Sequence, residues 1–191
     1  MRITGTALAE FLALPTRSRA KVIHAVDKFL RGNGFTTLVR IDKNLKGIQT
    51  EGAGIPRVIF VNRTVEDEVI VGVTMKKKQH YNQHDAVAFL ADRLITSEPG
   101  NFECWDNVRQ EALTVSSVKS GFEDECLKET LQKTLMKWRS IAGLTRQQLA
   151  SKMGISYKYL CSIEANPSRV SITTLYHYAT KCGVKSPLIY L

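Results

Sequence analysis

Apolar residues recur along this chain at two periods, and the change of period divides it. Residues 6–14 form an Ala-rich apolar run that Pro15 breaks. Residues 17–29 then put Ala20, Val22, Ile23, Val26 and Phe29 on one face of a second helix, which Gly32-Asn33-Gly34 terminates. From residue 36 the pattern turns to strands. Residues 36–41 favour one strand, and Lys43, Lys46 and Gly47 suggest a Lys-rich turn. The runs PRVIFVN (56–62) and EVIVGVTM (68–75) read as two more strands. Their short charged connection, residues 63–67, suits an antiparallel hairpin. Asn82 or His84 then opens a helix carrying Ala86, Val87, Phe89, Leu90 and Leu94.

Helical spacing holds for the rest of the chain. Leu127, Leu131, Leu135, Trp138 and Ala142 form a stripe that extends back through Phe122 and Cys126. The stripe either packs its helix on the helices that follow or makes a dimer seam. Gly143 stops this helix, and Thr145 can cap the next, with Gln147 and Gln148 in its first turn. Ala150 is small where two helices approach, and Gly154 supplies a turn residue that takes positive φ without strain. Ser156 is a natural N-cap for a further helix, seated by Leu160 and Ile163. Asn166-Pro167-Ser168 ends it. Ser171 or Thr173 opens another helix with Leu175, Tyr178 and Ala179 inward, and Gly183 closes it. The spacing over residues 144–163 is that of a helix-turn-helix whose second helix enters a DNA groove. An ordinary helical hairpin is the alternative.

Charge sharpens this division. The net charge is +9, which favours a polyanionic partner. Residues 1–95 and 128–191 each carry an excess of Lys and Arg. Residues 96–127 are acidic, through Glu98, Glu103, Asp106, Glu111, Glu123, Asp124 and Glu125. Phe102, Trp105, Leu113 and Val115 punctuate the acidic segment, so it is no purely solvated linker. It reads as an interdomain connector, or as a segment that folds back over the basic first block; in the second case deleting residues 98–125 would release that block's activity. Cys104, Cys126, Cys161 and Cys182 lie far apart with no metal-ligand spacing, which points to reduced thiols, no metal and no cofactor. No apolar run is long enough to span a membrane, and the apolar start carries Glu10, which fits a signal peptide poorly.

Helices in this order from about residue 131 to 183, with room for a fifth in the tail, resemble the lambda-repressor-type (Cro/cI, or XRE) DNA-binding domain. The resemblance implies an ion pair between Arg139 and Glu164 without a readout role. It places recognition-helix contacts on Tyr157, Lys158 and Ser162, with Ser156 near a phosphate. Where the family usually has a phosphate-gripping glutamine this chain has Arg146, followed by Gln147. Arg169 and Lys152 are expected against the DNA backbone. Lys158 can donate to guanine acceptors, and Tyr157 can meet a thymine methyl or a phosphate. Such modules usually bind palindromic operators as homodimers.

The first block resembles the RelE/HigB toxin superfamily, ribonucleases that cut messenger RNA. The resemblance rests on LKG at residues 45–47, PRVIF at 56–60 and the segment 75–94. It implies a metal-independent endoribonuclease with Arg57 on the scissile phosphate and Lys46 or Lys43 in a basic role. General acid or base groups would come from Lys76, Lys77, Lys78, His80, Tyr81 and His84, and messenger RNA or the ribosome would be the partner. TEGAGI (50–55) replaces a longer strand that bears a second arginine in the family, which leaves open a domain kept only for binding.

The fold expected is therefore α+β: a small RelE-like antiparallel sheet with helices (1–95), an acidic connector (96–126), and an all-α repressor-type domain of four to five helices (127–191). HigB-type toxins are commonly encoded beside antitoxins carrying this repressor-type domain. The pair of resemblances implies a cytoplasmic toxin–antitoxin-like single chain that represses its own gene. The rivals are a regulator whose toxin-like block is inactive and serves dimerisation or sensing, and a phage or plasmid regulator whose first block binds RNA without cutting it.

Overall fold

A computed structural model describes residues 1–32, 38–40, 45–50, 57–63, 68–75, 102–185 and 187. It divides into two compact units, Met1–Phe122 and Glu123–Leu191.

The first unit is built on a six-stranded sheet of order β2-β3-β4-β5-β1-β6. The strands are β1 (Arg2–Thr4), β2 (Leu38–Arg40), β3 (Leu45–Gln49), β4 (Arg57–Arg63), β5 (Glu68–Met75) and β6 (Phe102–Cys104). The expected hairpin is present, with β4 antiparallel to β5 from Arg57↔Met75 to Arg63↔Glu68. Two expectations change. Lys46 and Gly47 lie in strand β3 and not in a turn, because Leu45–Gln49 fills the space between β2 and β4. The sheet is also mixed, since β1 runs parallel to β5. That pairing needs a long crossover, which the intervening helices and strands provide. Strands β1 and β6 hold three residues each, too few for a period of two to register.

Helix α1 (Gly5–Leu12) starts directly from β1, its first turn capped by the Thr4 hydroxyl on the Ala7 amide. Glu10 reaches from it to β5, where its carboxylate accepts the Val73 N–H at 2.9 Å. Helix α2 (Thr16–Leu30) buries the expected Ala20, Val22, Ile23 and Val26, while Phe29 packs at the margin. These join Ile3, Phe11, Ile48, Ile70 and Val73 in one core.

The segment read as a connector is part of that core. Strand β6 pairs with β1. Helix α3 (Trp105–Thr114) contributes Trp105, Val108 and Ala112, and the start of helix α4 (Ser116–Ile141) contributes Val118. Trp105 meets Phe11 edge-on at 5.6 Å, and Arg109 grips Asp27 of α2 through three hydrogen bonds of 2.8–2.9 Å. Gly121 passes Ala20 so closely that an added Cβ would stand 3.1 Å from the alanine methyl. Residues 102–122 thus complete the first unit, and deleting 98–125 would remove core and not a removable cover. The unit boundary falls inside α4.

The second unit follows the helical pattern of the sequence. Beyond the later part of α4 come α5 (Arg146–Met153), α6 (Tyr157–Ala165), a 3-10 turn (Pro167–Arg169) and α7 (Ile172–Lys181). Its core gathers Leu135, Leu149, Ala150, Met153, Leu160, Ile163, Leu175, Tyr178 and Cys182. The expected helix after Asn82 and the end of the tail lie outside the described residues. Among the described residues no helix is long and apolar enough to cross a membrane.

Candidate nucleic-acid interface

Each junction around α6 has a local cause. Thr145 and Gln148 form a reciprocal capping box at the start of α5: the Gln148 amide donates to the Thr145 hydroxyl at 3.2 Å, and the Thr145 amide donates to Gln148 Oε1 at 2.9 Å. Gly154, at φ 68°, closes α5 in the left-handed conformation that a side chain would strain. Ile155 N–H turns back to the Ala150 carbonyl at 3.1 Å. Ser156 then caps α6 by accepting from the Tyr159 amide at 3.2 Å.

With 100° per residue, the buried Leu160, Ile163 and Glu164 define one side of α6. The opposite side carries Lys158, Ser162 and Ala165, all exposed. Tyr159 and the half-buried Cys161 flank this face. Tyr159 is as exposed as Tyr157; the helical period alone could have nominated it. Tyr157 sits on the flank towards α5. It shares with Met136, Arg139, Leu144, Arg146 and Gln147 an open groove of about 820 Å³. Gln147 is exposed in the first turn of α5, and Arg169 is exposed in the 3-10 turn. Ser156, Lys158, Ser162, Gln147 and Arg169 therefore all reach solvent on this unit.

Behind α6 lies a buried polar junction. The Glu164 side chain is only 3% exposed, and its carboxylate accepts from Arg139 Nε at 2.7 Å, Arg146 Nε at 2.6 Å and the Tyr178 hydroxyl at 2.7 Å. These partners come from α4, α5 and α7, so one carboxylate on α6 joins all four helices. The Tyr178 hydroxyl has a single proton, and the carboxylate is nearer than the Leu135 carbonyl at 3.2 Å. Burial raises the Glu164 pKa, yet the hydrogen bonds from Arg146, Tyr178 and Arg139 outweigh it and hold the group below its usual value. Burial and the bond to Glu164 push Tyr178 up. Burial lowers Arg139, but its bond to Glu164 wins and the net shift is upward. Two guanidiniums on one carboxylate leave the junction with net positive charge.

The Arg139–Glu164 ion pair stands where the resemblance put it. Arg146 turns its Nε inward onto Glu164, while its side chain stays 44% exposed. In the first unit, Lys46 is in register with Val61, whereas Arg57 opens β4 opposite Met75. Four residues of β4 separate their levels, about 13 Å along the strand, so the sheet does not bring this pair together. Arg57 stands instead at the end where the chain leaves β5 for residues 76–84. Lys77, His80, Tyr81 and His84, and with them Lys43, Lys76 and Lys78, lie outside the described residues.

Residues 135–189 match the family model described as helix-turn-helix. No curated protein and no solved structure matches the chain. The second unit is a helix-turn-helix domain of the XRE, lambda-repressor type, a kind of domain that binds double-stranded DNA in transcriptional regulators.

Proposed function

We propose that this chain is a sequence-specific transcriptional regulator that lays α6 in the major groove of operator DNA. The observation that carries the reading is the division of α6: Leu160, Ile163 and Glu164 anchor one side, and Lys158 and Ser162 stand free on the other. Lys158 reads base edges, with Tyr157 and Ser162 beside it, while Ser156, Gln147 and Arg169 hold phosphates. A homodimer on a palindromic site and repression of its own promoter complete the reading. The test is enrichment of duplexes from a random-sequence pool by the full-length chain, followed by binding to its own promoter fragment across a salt series. A steep salt dependence and one recurrent motif are expected; equal affinity for every duplex refutes the reading.

A second reading keeps the first unit as a RelE/HigB-like ribonuclease held in check in the same chain. Its support is the placement of LKG (45–47) and RVIF (57–60) on the neighbouring strands β3 and β4, with Arg57 level with the exit to residues 76–84. Induced expression of residues 1–122 then arrests growth, and Arg57→Ala relieves the arrest. Growth and RNA that both remain intact leave the regulator with an inert first unit.

A further inference from the structure

Arg146 occupies the position at which a phosphate ligand is expected, yet its geometry serves another end. It is the first residue of α5, and its Nε–H is spent on the Glu164 carboxylate at 2.6 Å, with the side chain 44% exposed. Arg146 also lines one groove with Tyr157 of α6. Tyr157 and Glu164 stand seven residues apart on α6, about 10 Å, along the flank beside the reading face. Arg146 therefore lies along the recognition helix rather than beyond it.

Resting on the DNA-binding reading, we infer that Arg146 is a positioning residue: it fixes the rotation of α6 about its axis, and so the direction in which Lys158 and Ser162 point. Arg139 and Arg146 take different oxygens of the carboxylate, Oε1 and Oε2, and come from different helices. The Tyr178 hydroxyl also meets Oε1, so without Arg146 both remaining donors hold one oxygen and the carboxylate can pivot about it, whereas Arg146 on Oε2 fixes its orientation. The lever is short but sufficient. A side-chain radius of about 6 Å turns a 10° slip into a displacement of about 1 Å at the reading face, enough to carry a donor outside hydrogen-bond range of a base. The phosphate contact at the start of α5 then falls to Gln147, the next exposed residue along the groove.

The experiment compares wild-type, Arg146→Met and Arg146→Lys full-length chains on two probes. One is the duplex that the wild type enriches from a random-sequence pool; the other is a scrambled duplex of the same length. Circular dichroism sets a temperature at which all three are folded, and the lysine variant serves if the methionine variant does not fold. A positioning role predicts about tenfold weaker binding of the selected duplex for both variants. Affinity for the scrambled duplex stays within twofold, and the slope of log K against log salt is unchanged. A phosphate ligand behaves differently: Arg146→Met weakens both probes and flattens the slope by about 0.9, and Arg146→Lys restores both. That result overturns the inference, as does unchanged affinity for the selected duplex. If the wild type enriches no duplex, the DNA-binding reading itself falls and this role falls with it.

Discussion

Replacing Glu164 by glutamine changes one oxygen into an amide at the point where four helices meet. The shape is retained, so the loss is electrostatic and can be built up from the bonds. Two of the three donors, Arg139 and Tyr178, still find an oxygen, but that acceptor is no longer ionised, which costs about 1 kcal/mol each. Arg146 meets an N–H where it had an acceptor. Its side chain is 44% exposed and rehydrates, so little is charged to that bond. Arg139 is only 18% exposed and is left without a counter-charge, which adds about 1 kcal/mol. The second unit should therefore lose about 3 kcal/mol, a large share of the stability of a domain of this size, with a fall in midpoint of about 12–24 °C. Native-state hydrogen exchange on the full chain resolves the two units. Amides of α7 should exchange about 100-fold faster, and those of β5 should serve as the unchanged reference. Acceleration of α7 by less than about fivefold would mean that the carboxylate contributes little more than any polar group, and the account of the junction would be wrong.

The pH dependence of the second unit follows from the same carboxylate. The folded pKa of Glu164 is lowered from 4.5, so its stabilisation is present above that value and is lost as pH falls through the folded value. Unfolding of wild type and Glu164→Gln should converge in acid and diverge towards neutral pH, and curves that stay parallel refute the link. Lys158→Ala should weaken operator binding and reduce the salt slope if the ammonium meets a phosphate, or relax the preference at one base pair by about 1–3 kcal/mol if it meets a base edge; binding assays that show neither remove Lys158 from the interface. Trp105→Ala should destabilise the first unit by about 3–5 kcal/mol, because the ring is fully buried against Phe11. Rapid exchange of β5 amides would report this, and slow exchange would return residues 102–122 to the status of a connector.

Local chemistry decided which parts of this molecule could be read in advance. Residues 145–183 were legible because each boundary there is set by a neighbour: Thr145 with Gln148, Gly154 at positive φ, and Ser156 and Ser171 as caps. The hairpin of β4 and β5 was legible for the same reason. Strands β1 and β6 were not, since three residues become a strand only when a distant edge is there to receive them. The acidic residues of 96–127 misled because charge describes the solvent side of a helix. Trp105, Val108 and Ala112 recur at helical spacing on the other side and carry the packing. Arg146 shows the limit within a well-read motif. Its type guarantees a cation at the start of α5, but a guanidinium has five donors and chooses among acceptors by their desolvation. A carboxylate that is 3% exposed, 2.6 Å from Nε and shared with Arg139 outcompetes water for that donor. A motif position can thus keep its charge while its Nε–H turns from solvent to a neighbouring helix.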